Sequence, residues 1–209
     1  MSLTFYYHPH STAAVTLWQL TELGIPHEKV KLDLSGKRDQ DRPEFLALNP
    51  NGKVPLIVDQ GTAIFESAAI TMHLGEQFGV AKDLWPAPGL RRAEAMKWVV
   101  WTNVTLVEAF SRLWRNTTDQ FPVEQRNAAT AEVAKGETAQ LMRILDQALA
   151  GKTWLLGDTF TLADIHIVSF VGYFQMCGLD LAPYTNVTAW LRRAEARPSH
   201  AAYETAAAA

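Results

Sequence analysis

Residues 49 to 67, NPNGKVPLIVDQGTAIFES, carry backbone and side-chain groups spaced for binding. Pro55 falls within a short apolar run from Val54 to Val58. A proline there removes a ladder donor, and one explanation is a cis Val54–Pro55 bond. Such a turn leaves the Val54 N–H and C=O to pair with an extended peptide, as a sheet edge pairs with an added strand. A Gln60-Gly61 turn and a second run, Ala63 to Phe65, complete a predicted hairpin, and a helix opens at Glu66-Ser67. The first turn of that helix, with the Ser67 hydroxyl, offers donors to a carboxylate. Together the two features suit a short acidic peptide.

The elements that must position these groups read as a small α/β layer. Leu3 to Tyr7 predicts a buried strand that stops at Pro9. His10, Ser11 and Thr12 cap a helix from about Ala13 to Leu23, ended by Gly24 and Pro26. His27 to Leu34 alternates as a second strand, so the first two strands are expected to be parallel. A polar loop, Ser35 to Arg42, leads to a short helix over Pro43 to Leu48. After the hairpin, Glu66 to Phe78 predicts a helix.

Leu84 to Gly89, with two prolines and a glycine, marks a domain boundary. Beyond it helices are predicted from Leu90 to Asn116, Val123 to Ala150, Leu162 to Cys177 and Val187 to Glu195. Thr161 and Asp164 have capping-box spacing, and Phe160 with Ile165 can close a hydrophobic staple. The terminal AAYETAAAA is expected to fray. The division is therefore residues 1–80, a linker over 81–89, and a helical domain over 90–209.

Composition narrows the function classes. The chain has 209 residues, 48% hydrophobic and 20% charged, with a formal charge of -3, so a basic surface for nucleic acid or anionic membrane is not expected. The single cysteine, Cys177, excludes an internal disulfide framework and fits a reducing, cytoplasmic setting. The N-terminus lacks the pattern of a secretory signal. The histidines show no paired ligand spacing beyond His8 and His10, and no metal site is expected.

The βαβ-ββα order, NPNGKVP with FESAAI, and GDTFTLADI from Gly157 to Ile165 resemble the cytosolic glutathione S-transferases over the whole chain. HPHSTA with LALNPNGKVP is most similar to the serine-type classes, particularly the phi class and its bacterial relatives. The resemblance implies a thioredoxin-like N-terminal domain holding glutathione and an all-α C-terminal helical bundle contributing a hydrophobic co-substrate pocket. It also implies glutathione as co-substrate, no metal, a small hydrophobic electrophile and a homodimer, its interface near the helices from Glu66 and Leu90.

Carried over by position, Ser11 matches the serine that contacts the glutathione sulfur, with Tyr7 and Thr12 as rivals in the same turn. A hydroxyl at a helix N-terminus is itself placed to stabilise an anion. Glu66 and Ser67 match the holders of the γ-glutamyl carboxylate, Val54 the partner of the cysteinyl backbone, and Lys53 lies beside the peptide. Where the phi class tends to place a basic pair before Pro43, this chain has Gln40 and Asp41, with Arg42 or Arg38 as substitutes toward the glycine carboxylate. His10, Phe110 and Trp114 are the expected contacts for the electrophile.

Lowering a thiol pKa from ~8.5 to ~6.5 raises the thiolate at pH 7 from about 3% to about 75%. The lower basicity costs roughly six- to tenfold in nucleophilicity at a Brønsted slope of ~0.4 to 0.5. Most acceleration must then come from positioning. The resemblance favours an enzyme that adds the glutathione thiol to an electrophile. A non-catalytic binding or stress protein, or a glutathione-dependent peroxidase or isomerase at the same site, are the alternative readings.

Overall fold

The computed structural model describes residues 3–9 and 11–208. Its chain divides into two compact units, Met1–Ala87 with Glu195–Ala209, and Pro88–Ala194.

The first unit is built on four strands, β1 (Leu3–Tyr7), β2 (Glu28–Lys31), β3 (Leu56–Asp59) and β4 (Thr62–Phe65), in the order β2-β1-β3-β4. β1 runs parallel to β2 and antiparallel to β3, and β3 forms the expected hairpin with β4. Alternation puts Leu3, Phe5 and Tyr7 of β1 in the core, and Phe5 stacks on Tyr7 at 5.4 Å. On the other face Tyr6 meets Phe45, and Phe45 joins Leu32 and Leu56 in a second cluster. Helix α1 (Ala13–Leu23) connects the parallel pair, α2 (Pro43–Leu46) precedes β3, and α3 (Ser67–Leu74) follows β4.

Two buried polar side chains join α1 to α3. The Gln19 amide donates to the Thr71 hydroxyl at 2.8 Å, and that hydroxyl is also 2.8 Å from the Ser67 carbonyl. A buried pair satisfied in this way fixes the mutual register of two helices more sharply than apolar contact alone.

Beyond α3 the predicted helix widens into a π-helical turn, Gly75–Gly79. Trp85, buried in the following segment, lies directly on both glycines. A Cβ on Gly75 would collide with the Trp85 indole, and one on Gly79 would lie 2.9 Å from Trp85 Cβ. Gly75→Ala is expected to cost about 1–3 kcal/mol through this overpacking. Gly136→Ala, with open space around the new methyl, should instead stabilise by roughly 0.5–1 kcal/mol. Thermal unfolding of the two variants checks the contrast, and a stable Gly75→Ala would remove the steric account.

The second unit contains α4 (Leu90–Trp101), α5 (Val107–Thr117), α6 (Ala128–Leu149), α7 (Leu162–Met176) and most of α8 (Thr185–Glu195). The helix expected over Leu90 to Asn116 is interrupted by a π-helical segment, Thr102–Leu106. The one expected from Val123 begins at Ala128, where the Asn127 side chain accepts the Thr130 N–H at 2.9 Å as an N-cap.

The tail differs from expectation. Pro198–Ala208 forms α9, which packs on α1 of the first unit, so the helical domain does not run to residue 209. Trp18 stacks with Tyr203 at 5.8 Å and meets His200 edge-on at 4.7 Å. The Trp18 indole donates to Ser199, while Glu22 binds both Ser199 and Arg197. An alanine-rich end without a strong apolar face is held by these contacts with α1, which local periodicity does not reveal.

Candidate functional site

Sheet register brings the three sequence segments together. Tyr6 pairs with Leu56 and Leu56 with Phe65, so the C-terminal end of β1, the start of β3 and the end of β4 form one row. The β1–α1 turn, Val54 and the Glu66–Ser67 joint therefore open at the same end of the sheet. Helices α1 and α3 both begin there, with the positive dipole ends that favour anions.

The Val54–Pro55 peptide is cis. The preceding loop is shaped by Asn49, which sequence reasoning passed over. Its buried amide donates to the Lys53 carbonyl at 2.7 Å and accepts the Asn51 N–H at 3.1 Å. The signal was present in the NPNG turn chemistry, where an asparagine bonds the backbone two residues on.

Glu66 is exposed and has φ of 69° with ψ of 120°, a conformation that non-glycine residues rarely adopt. The chain thereby turns abruptly from β4 into α3, and the Glu66 carbonyl already accepts the Ile70 N–H at 3.0 Å. Ser67 is buried at the first position of α3.

At the head of α1, the Ser11 hydroxyl donates to the His8 carbonyl at 2.7 Å and accepts the Ala13 N–H at 3.2 Å. Thr12 is exposed, and its hydroxyl lies 3.5 Å from the Val54 carbonyl, at the long limit of a hydrogen bond. Tyr7 is buried against Phe5, with the Lys29 ammonium 5.8 Å from its ring centre. His10 lies outside the described residues.

The loop residues proposed for the far carboxylate are differently occupied. The Gln40 amide turns back to donate to the Leu34 carbonyl at 3.0 Å, and Arg42 pairs with Asp39 at 2.8 Å. Arg38 pairs with Asp41. Asp33 organises the loop by accepting N–H groups from Gly36 and Lys37, and these bonds hold its carboxyl below the usual carboxylate range. Lys53 is exposed.

In the helical unit Phe110 is 4% exposed and stacks on Phe174 at 4.0 Å, the surroundings of a core residue. Trp114 is half-buried and meets Phe121 edge-on at 5.6 Å. Although four residues apart on one helix, the two rings have different environments.

Comparison with known proteins agrees with this architecture. The model described as Glutathione S-transferase, N-terminal domain, matches residues 1–76, and its C-terminal counterpart matches residues 95–198. Glutathione S-transferase GstB of Escherichia coli (strain K12) is 35% identical over 185 residues, 88% of each chain. The theta class glutathione S-transferase from Xanthomonas axonopodis pv. citri, solved with glutathione bound, is 28% identical with a TM-score of 0.82, covering 95% of this chain and 94% of that one. A family member from Pseudomonas fluorescens pf-5, solved with two glutathione bound, is 26% identical with a TM-score of 0.83, covering 96% of this chain and 91% of that one. With both family domains present and so close a relative along most of its length, the chain belongs to the glutathione S-transferase family and is a glutathione transferase.

Proposed function

We propose that glutathione lies extended across the Tyr6–Leu56–Phe65 end of the sheet, with its γ-glutamyl carboxylate at Glu66–Ser67 and its cysteinyl backbone on Val54. Its thiol then sits at the Ser11–Thr12 turn. The observation that carries this reading is the strand row itself. Three adjacent strands span about 10 Å at 4.7–4.9 Å per spacing, and an extended tripeptide reaches about 10–11 Å. One molecule can thus bridge both helix N-termini.

The exposed Lys53 ammonium is the proposed partner of the glycine carboxylate, because Arg42 and Gln40 already have partners within their own loop. The co-substrate is a small hydrophobic electrophile. Self-association as a homodimer is supported by Val100 and Val104, 44% and 69% exposed at helical neighbour spacing. Among the described residues no helix is long and apolar enough to cross a membrane. A reducing cytoplasm, where glutathione is held as the thiol, is the proposed location.

Calorimetry with glutathione tests the binding mode. Ser67→Ala removes one bond to a charged group and is expected to weaken binding roughly tenfold to a hundredfold. Undetectable binding of glutathione to the unaltered protein at millimolar concentration would reject the reading. A conjugation and hydroperoxide panel on the same preparation then separates transfer from peroxide reduction.

A further inference from the structure

We propose that Gln19 and Thr71 are positioning residues for glutathione, holding the heads of α1 and α3 at the separation that one peptide must span. This rests on the binding mode proposed above, in which the thiol sits at the head of α1 and the γ-glutamyl carboxylate at the head of α3. Neither residue touches the peptide, because both are 0% exposed.

The Gln19 amide N–H donates to the Thr71 hydroxyl at 2.8 Å. That hydroxyl lies 2.8 Å from the Ser67 carbonyl and 3.1 Å from the Gln19 amide oxygen. Whichever oxygen takes the Thr71 proton, the amide N–H joins α1 to α3. A buried pair of this kind adds little stability over apolar side chains of the same shape, because its bonds replace bonds to water. What it adds is geometry. A hydrogen bond holds over a narrow range of distance and angle, whereas apolar surfaces can slide past one another.

The tie lies close behind both ends that favour anions. At 1.5 Å per residue, Gln19 is about 9 Å along α1 from Ala13, and Thr71 is about 6 Å along α3 from Ser67. Thr71 also bonds back to the carbonyl of Ser67 itself, so the residue proposed to hold the carboxylate shares a hydroxyl with the partner of α1. A slip of α1 along its axis would carry the Ser11–Thr12 turn with it, while Glu66–Ser67 stayed in place. Misplacement of about 1 Å can cost on the order of a hundredfold where reacting groups must be aligned.

The test compares two peptides, glutathione and γ-glutamyl-alanyl-glycine, which lacks only the sulfur and so makes no thiol contact at the head of α1. Gln19→Leu combined with Thr71→Val removes both polar partners at nearly unchanged volume. Calorimetry on this double variant should show glutathione binding weakened about tenfold and the alanyl peptide by less than about twofold, with the melting temperature within about 5 °C of the unaltered protein. Thr71→Ser, which keeps the hydroxyl, should rescue the glutathione affinity. Unchanged glutathione affinity in the double variant, equal weakening of both peptides, or loss of the fold would each overturn the assignment. Equal affinity of the unaltered protein for the two peptides would instead show that the sulfur does not reach α1, and would reject the binding mode on which the assignment stands.

Discussion

Asp164→Ala is expected to destabilise the protein by about 3–5 kcal/mol, the scale of leaving a buried charge network without its centre. Asp164 is 0% exposed at the first turn of α7. Its carboxylate accepts the Thr161 N–H and hydroxyl, both at 2.9 Å, the Leu155 N–H at 2.8 Å and the Trp190 indole N–H at 3.0 Å. One side chain therefore ties the N-cap of α7, the loop before it and helix α8. Alanine would strand all four donors in a site without water access. Burial pushes the Asp164 carboxyl above its usual range, against the downward pull of those donors. Asp164→Asn, which keeps the volume but turns a donor toward Thr161 or Trp190, should fall between alanine and the unaltered protein. Urea unfolding measures both, and an Asp164→Ala loss below about 1 kcal/mol would show that the box is only a local cap.

The capping box shows how far the sequence could be read. Thr161 and Asp164 announce it by spacing, because the interaction spans one helical turn. Leu155 and Trp190 do not, because their donors reach Asp164 only after the chain has folded over nine and 26 residues. The same division runs through the fold. The parallel β1–β2 pair, the β3–β4 hairpin and the boundary near Leu84 to Gly89 follow from local periodicity and turn chemistry. Helix α9 does not, since its anchors are Trp18 and Glu22, far away in sequence.

At the site, residue types suggest where an acidic peptide would be held, and the register of Tyr6, Leu56 and Phe65 brings those segments to one end of the sheet. Types alone could not rank Ser11 against Thr12. Both are hydroxyls in one turn, and the structure adds only that the Ser11 hydroxyl donates to the His8 carbonyl while that of Thr12 lies 3.5 Å from the Val54 carbonyl. Arg42 and Gln40 show the same limit. Their chemistry suits a carboxylate, but Asp39 and the Leu34 carbonyl engage them first.

Acidification should unfold this protein through His166. The ring is 0% exposed on α7, its Nε2 lies 2.7 Å from the Asn103 side-chain oxygen, and burial lowers its pKa from 6.5 to about 3. With an acceptor on that side, Nε2 carries the proton of the neutral imidazole. Above pH 6.5 neither folded nor unfolded chain protonates the ring appreciably, and its full contribution to stability is present. As pH falls, the unfolded chain binds a proton that the folded chain refuses, so stability drops by about 1.4 kcal/mol per unit. The loss reaches about 4–5 kcal/mol at the folded pKa. Asp164 has the opposite sign, because its raised pKa adds stability toward low pH and loses it as pH rises through the folded value. His166→Gln preserves a donor for Asn103 and removes the titration. Between pH 6.5 and 4.5 the unaltered protein should lose roughly 2–3 kcal/mol more than this variant in urea unfolding. Parallel curves for the two would refute the assignment. The distinction bears on catalysis, because transferase activity should fall in acid both when the glutathione thiolate is protonated and when the fold is lost. Only the first effect survives in His166→Gln, so the variant isolates the titration of the sulfur.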